Sequence, residues 1–164
     1  MKFSLVPDIS ADLVTRIDAK LLKGGGVSLL LVDLDNTLAS YSDEGPSMEV
    51  LGWKQSLERE GIELFIVSNT KTDRAGRYAA ALGINYVNRA RKPSTKAVKA
   101  VIESLGHTAA SSALVGDQIF TDVLCANRCG AVSIVVKPIK FGNPFFAVRY
   151  FFEIPFRLMC KNKL

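Results

Sequence analysis

Two aspartates, Asp33 and Asp35, stand one residue apart where the apolar run LLLV passes into DLDNTL. Like charges at that spacing raise each other's cost of ionisation, and drawing either carboxylate out of water costs more still. A cation or a phosphoryl group relieves that cost, and so does simple exposure at a turn. On an extended chain an i, i+2 pair points both side chains to the same side. One carboxylate of such a pair can attack phosphorus, while the other protonates the leaving alcohol and then activates water. Further along stand Ser68 and Asn69 after ELFIV, Lys92 before Pro93, and Asp117 after ALVG. Carboxylate oxygens with few other donors describe a hard-cation site, of the kind in which Mg²⁺ is held by one or two carboxylates and a substrate phosphate. The Ser68 hydroxyl and the amides around Asn69, ahead of a helix, suit an anion, and Lys92 supplies a positive charge. A metal, an anion pocket and two carboxylates fit phosphoryl transfer.

These residues can act together only if the chain gathers them. LLLV and ELFIV are continuous apolar runs rather than alternating ones, as in strands covered on both faces. Strands are expected over 27–34, 62–68, 84–87, 113–116 and 132–136. Helices are expected over 46–59, 73–82, 94–105 and 121–129, with a last one from Pro144 to about Met159. Ser10 is read as the cap of an earlier helix over 11–22, with Leu13, Ile17 and Leu21 on one face and Gly24, Gly25 and Gly26 ending it. The glycine run lacks the Lys-Ser/Thr of a P-loop and reads as a connector. Alternating strands and helices predict an α/β fold: a three-layer α/β/α arrangement around a central parallel sheet. Ligands of such sheets bind outside the carboxyl ends of the strands. Asp33, Asp35, Ser68, Asn69, Lys92 and Asp117 all fall there.

The chain of 164 residues has the length of one domain, 1–164, and an ordinary globular composition, 48% hydrophobic and 23% charged. Its net charge of +5 resides in the segment 137–164, where Lys137, Lys140, Arg149, Arg157, Lys161 and Lys163 face only Glu153. The opening MKFSLVPDISADLV has no apolar core or cleavage site of a signal peptide, and no window is apolar enough to span a bilayer. The three cysteines form no metal-type pair. Cys125 and Cys129 fall on one helical face and read as buried thiols, which together with the missing leader predicts a cytoplasmic location.

DLDNTL, the pair Ser68–Asn69, the pair Lys92–Pro93 and GDQIFTD over 116–122 resemble, in order, the four motifs of the haloacid dehalogenase (HAD) superfamily of phosphatases. VGDQIFTDVLCANRCGAVSIVVKPI is similar to its YqeG-type branch, of subfamily IIIA, related to phosphatidylglycerophosphate phosphatases. The resemblance implies Asp33 as nucleophile and Mg²⁺ ligand. It implies Asp35 as general acid and base, its backbone carbonyl also reaching the metal. Ser68 and Asn69 would bind phosphoryl oxygens, Lys92 would neutralise the aspartyl phosphate, and Thr37 would support the turn. Asp117 would complete the metal site, with Asp122 as an alternative ligand, and Arg91 is a further candidate for phosphate contact. The implied reaction is hydrolysis of phosphatidylglycerophosphate to phosphatidylglycerol. A soluble sugar phosphate, nucleotide or phosphoprotein as substrate stays open, as does a non-catalytic Mg²⁺- and phosphate-binding scaffold.

The superfamily inserts its specificity domains after the first or the second motif, and the segments 38–67 and 70–91 are too short for either. A capless site suits a large or surface-bound substrate. The terminal segment carries Phe141, Phe145, Phe146, Tyr150, Phe151, Phe152 and Phe156 among its basic residues. Packing onto the sheet, a homo-oligomer interface, or peripheral contact with the inner face of a membrane through 141–164 would each employ these rings. Nucleic acid is not an expected partner. Pro144 and Pro155 are expected to hold the last helix under three turns.

Overall fold

The computed structural model describes residues 4–140, 144–160 and 162–163, and these form one sheet in which every pairing is parallel. Its strands are β1 (Ile9–Ala11), β2 (Leu29–Val32), β3 (Glu63–Val67), β4 (Asn85–Val87), β5 (Ser112–Gly116), β6 (Val132–Val136) and β7 (Asn162–Lys163), in the order β4-β3-β2-β5-β6-β1-β7. The helices are α1 (Ala19–Gly24), α2 (Met48–Arg59), α3 (Arg74–Leu82), α4 (Lys96–Ser104), α5 (Leu124–Cys129) and α6 (Pro144–Leu158).

β2 lies at the centre, and the expected two-sided burial is complete: all four of its side chains are inaccessible to solvent. Leu30 and Val32 point into a core with Leu22 of α1, Trp53 and Leu57 of α2, and Tyr78 and Leu82 of α3. Leu29 and Leu31 point the other way, towards Val98 and Ile102 of α4 and Cys125 and Ala126 of α5. That alternation makes the three layers. The segments 38–67 and 70–91 hold only a loop with α2, and α3 with β4, so no cap covers the sheet edge. Cys125, Cys129 and Cys160 are buried thiols that form no disulfide with one another.

The N-terminal segment departs from expectation. Instead of one helix over 11–22, Ile9–Ala11 pairs with Ile134, Val135 and Val136 of β6, a 3₁₀ turn covers Val14–Arg16, and α1 starts only after Asp18. Asp18 rather than Ser10 is the cap, its carboxylate accepting the Lys20 amide at 2.9 Å. Of the predicted apolar line only Ile17 is buried, while Leu13 and Leu21 are exposed and Val14 and Leu22 take the inner positions. An open strand edge on β6 offers hydrogen bonds that outweigh local helix preference.

The last helix also differs. α6 runs unbroken for 15 residues with Pro155 inside it. The hydrogen bond that proline cannot make falls on the solvent side, where Phe151 and Pro155 are exposed, and water can serve the carbonyl. Phe141 and Lys161 lie outside the described residues.

Candidate active site

The β2 ladder extends one residue further, the Asp33 amide donating to the Val115 carbonyl at 2.9 Å. Asn36 then adopts a left-handed conformation, φ 63°, which asparagine tolerates better than most residues. Its amide donates to the Ala39 carbonyl at 2.8 Å, closing a turn that buries Leu34, Leu38 and Ala39. The Thr37 amide bonds the Leu34 carbonyl at 3.3 Å, while its buried hydroxyl has no partner among the described residues. Because Val32 pairs with both Ile66 and Val115, Asp33 lies level with Val67 and Gly116, and Ser68 and Asp117 follow one step later. Asp33, Asp35, Ser68, Asn69, Lys92 and Asp122 consequently line one open cleft of about 230 Å³. Tyr41, Gln118 and Thr121, which the sequence did not single out, line it too. Arg91 is exposed and not among the lining residues.

Lys92 is the hub. Its buried ammonium donates to Asp33 Oδ1, to Asp122 Oδ1 and to the Val67 carbonyl, each at 2.7 Å. Three acceptors match its three protons. Burial alone would lower its pKa, but the two carboxylates outweigh that and raise it. Asn69 grips the backbone of the same residue: its Oδ1 accepts the Lys92 amide at 2.8 Å and its Nδ2 donates to the Lys92 carbonyl at 3.0 Å. The Asn69 side chain, expected on phosphoryl oxygens, is thus committed to positioning Lys92. Ser68 Oγ accepts the Thr70 amide at 3.1 Å, which leaves its own proton for a ligand.

Carboxylate oxygens of Asp33, Asp117 and Asp122 all lie within 4.8 Å of one another, and all three residues are buried. Among the described residues both oxygens of Asp117 lack a hydrogen bond. Burial pushes the Asp117 carboxyl up to about 8, with Asp122 and Asp33 adding to the rise and Arg149 opposing it. Burial raises Asp33 as well, against the pull of Lys92. Three crowded, buried carboxylates, one of them with both oxygens unbonded, fit a hard divalent cation, which would remove both the repulsion and the unmet hydrogen bonding. Asp122 already serves Lys92 through Oδ1 and the Gln118 amide through Oδ2, at 3.2 Å. Asp117 has the freer oxygens.

The Asp35 carboxylate stands outside that cluster, where it is bonded by Arg74, the first residue of α3. The same guanidinium reaches the carbonyls of Ser40 and Asp43. Burial raises the Asp35 pKa, and Arg74 and Lys92 hold the rise in check. Sequence reading missed Arg74. The available signal was a cation in the first turn of a helix, where it opposes the helix dipole and so implies a partner.

A second group comes from α6, where the i, i+4 spacing of Arg149 and Glu153 predicts their pairing but not their reach to the strand ends. Glu153, fully buried, accepts the Ile119 amide at 3.0 Å and pairs with Arg157 at 3.1 Å. Arg157 also donates to the Asp117 carbonyl and to the Val136 carbonyl. Arg149 comes within 3.5 Å of Asp117 Oδ2 and 3.7 Å of Glu153 Oε1, as charge contacts. Spaced four apart, these three are the charged residues of an otherwise aromatic and apolar helix, and that isolation was the readable sign.

Gly116 explains part of the GDQIFTD string. A Cβ there would lie 2.2 Å from the Asp122 carboxyl carbon, so only glycine lets β5 end against that side chain. Gly116→Ala is expected to displace Asp122, lowering stability by about 2–4 kcal/mol and activity by at least about tenfold. Urea unfolding and initial rates would check both.

A family model described as HAD-hydrolase-like matches residues 89–138. The probable phosphatase YqeG of Bacillus subtilis is 30% identical over 145 residues, spanning 88% of this chain and 84% of that protein. The chloroplastic/mitochondrial phosphatidylglycerophosphate phosphatase 1 of Arabidopsis thaliana is 30% identical over 162 residues, covering 88% of this chain but 44% of that protein. Among solved structures, the cobalt-bound deoxy-D-mannose-octulosonate 8-phosphate phosphatase of Haemophilus influenzae superposes with TM-score 0.58 over 85% of this chain and 78% of its own, at 16% identity. That likeness concerns the fold alone.

Proposed function

Because the chain belongs to the HAD-like phosphatase family, we propose that it is a Mg²⁺-dependent phosphomonoesterase that works through a phosphorylated Asp33 and converts phosphatidylglycerophosphate to phosphatidylglycerol. The observation that carries the chemistry is the buried group Asp33–Lys92–Asp122 beside an Asp117 whose oxygens lack hydrogen bonds among the described residues. The lipid substrate rests on the names of relatives, whose length this chain spans to 44% and 57% in the plant and algal proteins.

In this reading the Asp33 oxygen not held by Lys92 attacks phosphorus while the bond to the alcohol oxygen breaks. Asp35 gives its proton to the departing alkoxide, its raised pKa keeping that proton available. Water then attacks the aspartyl phosphate, Asp35 takes the proton back, and Asp33 is restored as inorganic phosphate leaves. Lys92 balances the charge on the Asp33 carboxylate throughout, and the Ser68 hydroxyl donates to a phosphoryl oxygen. Arg74 fixes the orientation of Asp35. Asp33, Asp117 and Asp122, with the Asp35 carbonyl, would hold Mg²⁺, which when bound supplies charge neutralisation at the phosphoryl group.

A metal-linked pH dependence follows. A carboxyl raised from 3.8 to about 8 in the folded state stabilises the fold below its unfolded pKa, and this contribution is lost as pH rises through 8. The metal-free protein is therefore expected to lose thermal stability between pH 5 and pH 8. Mg²⁺ at a hundredfold excess over its Kd adds about 2.7 kcal/mol, or roughly 5–10 °C, at pH 8 and far less at pH 5, where protons compete. Thermal melts with EDTA or Mg²⁺ at the two pH values read this directly.

The substrate is tested with purified protein in mixed micelles. Phosphate release from phosphatidylglycerophosphate should exceed release from soluble sugar phosphates or nucleotides at equal concentration. Fast hydrolysis of a soluble ester with none of the lipid overturns the lipid assignment and leaves the phosphatase chemistry standing.

A further inference from the structure

α6 is turned inside out relative to a core helix. Its one buried side chain is the acid Glu153, and Arg149 and Arg157 face inward with it. Phe145, Val148, Phe151, Phe152 and Leu158 are each more than half exposed. Positions 145, 148 and 152 follow i, i+3, i+7, with 151 and 158 alongside, so they share one broad face. Phe120 and Phe156 join this face to form a shallow apolar groove of about 630 Å³. Half of the exposed large hydrophobic residues of the described chain lie on α6 or directly after it, and a patch of that kind on a water-soluble surface marks an interaction site.

The location of the face says what it meets. On its inner side α6 reaches Asp117 through Arg149, and Phe146 stacks on Tyr41, a residue lining the cleft, at 6.2 Å between centroids. α6 therefore stands beside the cleft, with its apolar face turned outward. The segment 137–164 is basic by sequence, six cations against Glu153, and although Lys137 pairs with exposed Asp12 at 2.7 Å, Lys140 is exposed before the helix and the only acid of the helix is buried. A second copy of this chain on the same face would bring two segments of net positive charge together, which like-charge repulsion disfavours. An anionic bilayer matches both the apolar surface and the sign of the charge.

We propose that α6 is an interfacial helix whose Phe145–Phe152 face enters the headgroup region of an anionic bilayer and presents the open cleft to the membrane surface. The inference deepens the lipid-phosphatase reading by naming the surface on which the site works, yet its evidence is α6 alone and its test needs no turnover. The full chain is floated with phosphatidylserine–phosphatidylcholine vesicles, which carry no phosphomonoester for the cleft to bind, and with phosphatidylcholine vesicles alone. Wild type should float with the anionic vesicles, at least about fivefold more than with neutral ones. The double variant Phe151→Ser, Phe152→Ser should partition at least about tenfold less. Both residues are exposed, so its Tm and its turnover of a soluble aryl phosphate should match wild type. Wild type that stays in the aqueous fraction at low salt overturns the proposal, as does a double variant that floats equally well. So does a wild-type dimer in sedimentation velocity that the double variant dissolves without any vesicle binding, since that assigns the face to a second copy. Loss of aryl-phosphate hydrolysis in wild type would instead sink the phosphatase reading and leave the vesicle result standing.

Discussion

Asp33→Asn is expected to lower turnover of a soluble aryl phosphate by at least about 10³-fold while leaving the protein folded. An amide oxygen cannot attack phosphorus as a carboxylate does, and no other carboxylate stands where Asp33 does. Asp122 comes nearest in environment, but its oxygens are held by Lys92 and by the Gln118 amide. Asp35 is tied to Arg74. The fold should tolerate the change because Lys92 keeps Asp122 and the Val67 carbonyl, and the asparagine oxygen can still accept its third proton. Removing one of three crowded carboxylates also relieves repulsion on Asp117. In the absence of Mg²⁺ the Asp33→Asn protein should therefore melt no lower than wild type. Initial rates and thermal melts on the same preparation separate the two effects. Activity equal to wild type would sink the nucleophile assignment, whatever the melting temperature.

The part of this site that was legible in sequence is the part fixed by strand ends. A strand such as LLLV, buried on both faces, favours apolar side chains, so a charged residue is expected where the strand leaves the core. Asp33 and Asp117 are such residues, Ser68 stands at the matching end of β3, and parallel pairing then brings these strand ends level. Lys92 was legible by position but not by geometry. Its two carboxylate partners come from β2 and from the π-turn Ile119–Val123, and no local pattern reports that pairing.

What the sequence hid was hidden by competition between local and tertiary preference. ISADLV carries a cap residue and apolar spacing for a helix, yet its first three residues, Ile9–Ala11, are drawn into β1 by the free edge of β6. On α6 the aromatic residues suggested a packed face, because apolar side chains usually point inward. The fold needed something else there: the loop 117–119 ends β5 with an amide and a carbonyl that no strand partner serves, and charged side chains from α6 meet them. Arg149, Glu153 and Arg157 take the inner face for that purpose, together with half-buried Phe146 and Tyr150, and Phe145, Phe151 and Phe152 are left outside.

That arrangement carries the second large effect. Glu153→Ala is expected to lower Tm by roughly 10 °C, since removing one partner of a buried ion pair costs about 3–5 kcal/mol. The loss leaves Arg157 without its carboxylate and the Ile119 amide without an acceptor in a buried position. Burial raises the Glu153 pKa, and Arg157, Arg149 and the Ile119 amide oppose that rise. Glu153→Gln keeps an oxygen for the Ile119 amide and should recover about half of the lost stability. Glu153 is also connected to the Asp33–Asp117–Asp122 cluster, because Ile119 follows Asp117 by two residues and Arg157 holds the Asp117 carbonyl. In Glu153→Ala the Mg²⁺ concentration for half-maximal turnover should rise at least about fivefold, measured well below the lowered Tm. Partial rescue of that concentration by Glu153→Gln identifies a positioning residue. A fall in Tm with unchanged Mg²⁺ dependence would reduce Glu153 to a packing role.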